Sequence, residues 1–141
     1  MRVFKFGGAS VKDADGIKNV YDVLQKVGYE DVLLVVSAMG KTTNALEDVI
    51  KNYFEKSEEL NSSVQEVKKY HNQILLDLFE DEKNEVFAAV NALFSELEYF
   101  LAHNKSPNYN FVYDQIVSYG ELISTTILSH FMNFMGIKTQ W

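Results

Sequence analysis

The opening residues Met1-Arg-Val-Phe-Lys-Phe-Gly-Gly-Ala-Ser-Val11 constrain the fold more than any other stretch: a short apolar strand over residues 2–6 carries one lysine and runs directly into a Gly-Gly turn. Alternation places Val3, Lys5 and Gly7 on one face and Arg2, Phe4 and Phe6 on the other. Lys5 is therefore expected among buried neighbours, where its charge requires an anionic partner. Gly7 and Gly8 allow a sharp turn and a close approach of backbone to ligand, and a helix after the turn would aim free N–H groups at the same point. The arrangement suits a phosphate. It is neither a dinucleotide fingerprint, which needs a third glycine, nor a P-loop, which ends Gly-Lys-Ser/Thr. The plainer reading is an edge lysine whose stem covers apolar surface while its ammonium reaches water.

The pattern after the turn alternates helix and strand. Ile17, Val20, Tyr21, Leu24 and Val27 recur at helical spacing, with Gly28 at the C-terminal cap position. The unbroken apolar run in Asp31–Ser37 predicts a parallel strand covered on both faces, forming a strand–helix–strand unit with strand 2–6. A loop through Ala38–Lys41 leads to a helix marked by Leu46, Val49, Ile50, Tyr53 and Phe54. Ser63-Val-Gln-Glu66 reads as a capping box opening a long helix with Val64, Val67, His71, Ile74, Leu75 and Leu78 on one stripe. Val86, Val90, Leu93, Leu97, Phe100 and Leu101 mark its antiparallel partner, and the only proline lies in the loop Lys105–Asn108.

Several function classes are excluded by composition. A net charge of −7 argues against a nucleic-acid partner, which needs a clustered basic footprint. The absence of cysteine removes disulfides and thiolate metal sites. No apolar run reaches membrane-spanning length and no signal-peptide pattern opens the chain, so a cytoplasmic location is expected. The acidic stretches Glu55–Glu59 and Glu80–Glu85 read as solvated helix faces, and His71, His103 and His130 lack metal-ligand spacing and read as packing or surface residues.

Lys5-Phe-Gly-Gly-Ala-Ser-Val11 resembles the Lys-Phe-Gly-Gly-Thr-Ser-Val signature that opens aspartate kinases of the amino acid kinase superfamily, differing only at Ala9. Two further segments resemble that family in the same order: Val35-Val-Ser-Ala-Met-Gly-Lys-Thr-Thr-Asn44, and Ser118-Tyr-Gly-Glu-Leu-Ile-Ser124 as a helix start. Gly136-Ile-Lys-Thr-Gln-Trp141 is similar to the family's third strand, cut short. The resemblance implies an α/β parallel-sheet three-layer sandwich, present in part and carrying a helical insertion over residues 59–104. It identifies residues 1–141 as the N-terminal part of a catalytic domain.

The implied reaction is transfer of the γ-phosphoryl of MgATP to the side-chain carboxylate of L-aspartate, the first step toward lysine, threonine and methionine. The resemblance assigns Lys5, Gly7, Gly8 and Ser10 to the ATP phosphates, with Lys5 catalytic, and Ser37, Thr43 and Glu121 to aspartate. Mg²⁺ would ride on the nucleotide phosphates, with no dedicated protein ligand. From the residues alone, Thr42, Thr43 or Asn44 could be helix caps, Glu121 could be a first-turn acid favoured by the macrodipole, and Ser118 or Ser124 could be helix-start chemistry. The sole arginine is Arg2, so the family's arginine for the aspartate α-carboxylate is missing. An uncovered apolar sheet edge leads to an expectation of self-association or marginal stability, and a homo-oligomer is expected. The alternatives are another amino acid kinase, acting on glutamate or a nucleotide, and a non-catalytic helical interaction module.

Overall fold

A computed structural model describes all residues, Met1–Trp141. Strands β1 (Arg2–Phe6) and β2 (Val32–Val36) are joined by helix α1 (Ala14–Val27), and helices α2 (Thr42–Phe54), α3 (Leu60–Phe79), α4 (Glu85–His103) and α5 (Tyr109–Phe134) follow. The strands pair in parallel, with Lys5 opposite Val35 and Phe6 opposite Val36. The expected parallel neighbours are therefore present, and α3 and α4 add no strand to the sheet. No helix is long and apolar enough to cross a membrane.

One face of this sheet is packed and the other is open. Phe4, Phe6, Val32 and Leu34 lean on the core, whereas Val3, Leu33 and Val35 are 59%, 51% and 41% exposed. Lys5 shares that open face and is itself exposed. This corrects the expectation of a buried Lys5 and of a β2 covered on both faces: alternation divides a strand into two faces, but only the helices on one side have a partner in this chain. The three-layer arrangement is thus present as a sheet and the helices on one of its faces.

Helix α5 forms the spine of the core. Val112, Ile116, Ile123, Ile127, Leu128, Phe131 and Met132 are buried at spacings of three and four along it. The partners of α3 and α4 run in opposite directions, Lys68 with Glu98 at 3.0 Å and His71 against the ring of Phe94, which is the antiparallel pair read from the sequence. Phe94 is fully enclosed on α4, while Leu93, Phe100 and Leu101 are half-buried.

Helix ends account for most of the departures from expectation. α3 begins at Leu60, so Ser63 lies inside its first turn and donates to the Leu60 carbonyl at 2.7 Å in place of a capping box. The Ser57 hydroxyl meets the entering backbone instead, accepting from Glu59 N at 3.1 Å. α5 begins after Asn108, whose side chain accepts from Phe111 N at 3.0 Å; Ser118–Ser124 therefore lies in mid-helix and the macrodipole account of Glu121 does not apply. Residues 136–141 form no strand, and the Trp141 indole N–H donates to Thr125 Oγ1 at 2.6 Å. Gly28 does cap α1, its N–H donating to Leu24 O at 2.9 Å. The Arg2 guanidinium closes the same helix end, donating to Val27 O at 2.7 Å and Gly28 O at 3.0 Å.

His71 is wholly buried, with Nδ1 at 2.8 Å from the Val67 carbonyl. Burial lowers its pKa below the ordinary 6.5, against a smaller opposing effect of the Val67 hydrogen bond. The folded state therefore favours the neutral ring. The stability tied to it is complete above the unfolded-state pKa and is lost as pH falls through the folded-state value. We predict that the urea midpoint, followed by circular dichroism, falls from pH 7.5 to pH 5 by more in the wild type than in His71→Gln. An equal fall in both proteins contradicts this assignment.

Candidate functional site

The strand β1 ends at Phe6, and the chain then turns through Gly7 into a single 3-10 turn, Gly8–Val11. β2 ends at Val36 and passes through Ser37–Lys41 into α2. Because the strands are parallel, both exits lie on one rim of the sheet, the position at which open α/β sheets bind ligands. The two exits are stitched together: Ser37 N donates to Phe6 O at 3.0 Å and Gly40 N donates to Gly8 O at 2.9 Å.

Gly8 is demanded by this close approach. A Cβ at position 8 would lie 2.9 Å from both the Ala38 and Gly40 carbonyl oxygens. Gly7 differs from expectation: its backbone is extended (φ −76°, ψ 170°) and a Cβ there would meet nothing within 4 Å. The helix immediately after the glycines is only that one turn, and the first turn of α1 is capped by Asp13, which accepts from Gly16 N at 2.8 Å. Ser10 is exposed, with its N–H donating to Gly7 O at 3.0 Å.

The third segment docks on the same loop from α5. A Cβ on Gly120 would sit 2.9 Å from the Ala38 Cβ and 3.4 Å from Leu46 Cδ1, so the missing side chain is what lets the helix approach. One turn later the buried Ser124 hydroxyl donates to the Ser37 carbonyl at 2.7 Å. Ser124 is thus a tie between α5 and the β2 exit, with no part in starting a helix. Between these two contacts lies Glu121, whose side chain is exposed.

The predicted residues therefore collect by segment. Gly8, Ser37 and the Gly120–Ser124 turn that carries Glu121 meet around residues 37–42, and Thr43 follows in the first turn of α2, half-buried. The side chains of Lys5, Ser10, Thr43 and Glu121 share no hydrogen bond with one another, and Lys5 stands free at the end of β1. None of Thr42, Thr43 and Asn44 caps α2: its N-cap is Lys41, and the Thr42 hydroxyl turns back to Met39 O at 2.5 Å. A cleft of about 600 Å³ beside the loop is lined by Ala9, Lys12, Gly40, Lys41, Glu66 and Tyr70, among others. Sequence reasoning missed Gly40, Gly120 and Tyr70 as determinants of this rim. The signal for Gly120 was a glycine inside an otherwise apolar helical stripe.

The family model described as the Amino acid kinase family matches residues 1–141. The chain belongs to that family. Aspartokinase 1, chloroplastic, of Arabidopsis thaliana is 31% identical over 145 residues, which covers 98% of this chain and 24% of the relative. Bifunctional aspartokinase/homoserine dehydrogenase 2 of Escherichia coli (strain K12) is 28% identical over 140 residues, covering 99% of this chain and 17% of the relative. Among solved structures, E. coli aspartokinase III in complex with aspartate and ADP (R-state) superposes with a TM-score of 0.83 at 24% identity, covering all of this chain and 30% of that one. The same enzyme in complex with lysine and aspartate (T-state) gives 0.81 at 26% identity, again over all of this chain and 31% of that one. This amino acid kinase chain thus spans about a quarter or less of those curated relatives and has the fold of the matching part of aspartokinase III.

The packing at the rim yields a sharp prediction. In an open helix Gly→Ala stabilises by about 1 kcal/mol through propensity. At Gly120 the contact with Ala38 reverses the sign, and Gly120→Ala is expected to destabilise by roughly 1–3 kcal/mol in urea denaturation, as does Gly8→Ala, whereas Gly7→Ala is neutral to within about 0.5 kcal/mol.

Proposed function

We propose that residues 1–141 are the N-terminal part of the catalytic domain of an aspartate kinase, and that the rim built by Gly8, residues 37–43 and the Gly120–Ser124 turn is its phosphoryl-transfer site. The observation that carries this reading is the convergence of three motif segments on one loop at the exit of two parallel strands, through contacts that span 31 residues from Phe6 to Ser37 and 87 from Ser37 to Ser124. Relatives named aspartokinases and a fold neighbour holding aspartate and ADP support the substrate pair.

In this reading a carboxylate oxygen of L-aspartate forms a bond to the γ-phosphorus of ATP while the bond from that phosphorus to the β,γ-bridging oxygen breaks, giving 4-phospho-L-aspartate and ADP. The acceptor is already anionic, so no base is required. Lys5, exposed beside Gly7 at the end of β1, offsets charge on the phosphates as it shifts to the leaving oxygen. Gly7 and Gly8 present the backbone of the turn to the phosphates and Ser10 completes it; Mg²⁺ carried by the nucleotide, with no dedicated protein ligand, would supply further charge neutralisation. Ser37 and Thr43 orient the aspartate, and Glu121 meets its ammonium group. Ala9 in place of the family's threonine removes one hydroxyl and leaves the backbone of the turn unchanged. A cytoplasmic, homo-oligomeric enzyme of lysine, threonine and methionine synthesis is the setting this reading proposes; the open sheet face of Val3, Leu33 and Val35 is the surface that needs covering.

Arg2 bears on what the chain does alone. Its guanidinium is engaged at the end of α1, so the only arginine of the chain is not available to grip an α-carboxylate. The isolated 141-residue chain is accordingly expected to show no aspartate-dependent ADP release in a coupled assay, and turnover above background refutes this. In the full-length parent, Lys5→Ala is expected to lower kcat by at least about 10²-fold with an unchanged circular dichroism spectrum, and Lys5→Arg, with a larger planar head, does not restore it. Near-parental turnover of Lys5→Ala at saturating ATP and aspartate would reduce Lys5 to a strand lysine.

A further inference from the structure

Two adjacent residues of α3, outside all three motif segments, reach the rim loops. The Tyr70 hydroxyl donates to the Lys12 carbonyl, just beyond the 3-10 turn, and its oxygen lies 2.6 Å from where a Cβ on Gly40 would be. Gly40 also has φ +57°, a conformation that favours glycine, and any side chain there would push the Tyr70 hydroxyl away. His71, wholly buried, brings Nε2 to 3.4 Å from Thr42 Oγ1, and that hydroxyl donates to Met39 O at 2.5 Å. With Nδ1–H donating to Val67 O, Nε2 is left as an acceptor facing an oxygen whose one proton is already directed to Met39. The contact of His71 with the loop is therefore one of packing and shape, backed by Phe94 at a ring-centroid distance of 5.9 Å.

We propose that Tyr70 and His71 are positioning residues: together they clasp the turn after β1 and the loop after β2, so that the helical insertion sets the geometry of the candidate site. Tyr70 spans the two loops, with Lys12 on one side and Gly40 on the other. His71 packs on Thr42, the first residue of α2 and the neighbour of Thr43. The phenol is a donor at neutral pH, and burial and the nearby Asp13 carboxylate raise its pKa and extend that role to higher pH. The kinetic part of the test rests on the function proposed above; the structural part does not.

Tyr70→Phe removes the hydroxyl and keeps the ring. In the 141-residue chain, hydrogen exchange of the Gly40 amide, which bonds the Gly8 carbonyl, is expected to accelerate about fivefold, the worth of one ordinary hydrogen bond. In the full-length parent, Tyr70→Phe and His71→Gln are each expected to raise KM for L-aspartate about fivefold with kcat within about twofold, while Val90→Ala, a core truncation on α4, lowers the urea midpoint and leaves that KM in place. Unchanged Gly40 exchange in Tyr70→Phe overturns the clasp, and so does an equal rise of KM in Val90→Ala, which reduces the effect to general loosening. Faster Gly40 exchange in a parent that does not phosphorylate aspartate upholds the clasp and refutes the acceptor assignment.

Discussion

The loop Ser37–Lys41 is the point on which the rest of the structure depends. It is held from β1 by the Gly40 N–H to Gly8 carbonyl bond and from α5 by the Ser124 hydroxyl on the Ser37 carbonyl, and on the α3 side the Tyr70 hydroxyl packs against Gly40 while His71 packs beside Thr42, the residue after the loop. The first two ties use main-chain groups just past the end of the β2 ladder, the Gly40 N–H and the Ser37 carbonyl, which would otherwise stand unpartnered at a crowded junction. Two glycines make the crowding possible, since a side chain at position 8 or 120 would displace the loop. Packing and candidate chemistry are thus decided by the same few contacts.

The rim is buried where it is packed and exposed where a ligand would enter. Ala38, Met39, Thr42 and Ser124 are buried and Gly8 half-buried, whereas Lys5, Ser10 and Glu121 are exposed around them. An enclosed loop flanked by exposed polar and charged side chains is a workable arrangement for phosphoryl transfer, in which positioning and charge neutralisation carry most of the catalysis. The uncovered face bearing Val3, Leu33, Val35 and Lys5 gives the same lysine an apolar floor with water above it.

Much of this was legible in the sequence because the signals were local. The parallel strands, the stripe Val64–Leu78 on α3 and the C-terminal cap at Gly28 follow from periodicity and glycine chemistry acting over a few residues. What was not legible depended on partners distant in the chain. Alternation put Lys5 on a definite face of β1, but whether that face is covered is a property of what packs there. Ser118-x-Gly-Glu121 imitates a helix start, yet Asn108 had already begun α5, and the glycine is explained only by Ala38 on the opposing loop. Gly7 and Gly8 read alike in the sequence, and the structure separates them, because only Gly8 faces another backbone. The roles of Tyr70 and His71 were hidden for the same reason, His71 reading simply as one more member of a buried stripe.

The central claim, that one loop is gripped from both sides, is tested most directly by a double-mutant cycle on Gly8→Ala and Gly120→Ala measured by urea denaturation. Both new methyl groups press on Ala38, one on its carbonyl and one on its Cβ. Once the first has shifted the loop the second meets less resistance, and the double variant is expected to lose less stability than the sum of the singles by at least about 0.5 kcal/mol. Strict additivity of the two losses would mean that the β1 turn and α5 contact independent structures, and the account of a single shared loop would be wrong.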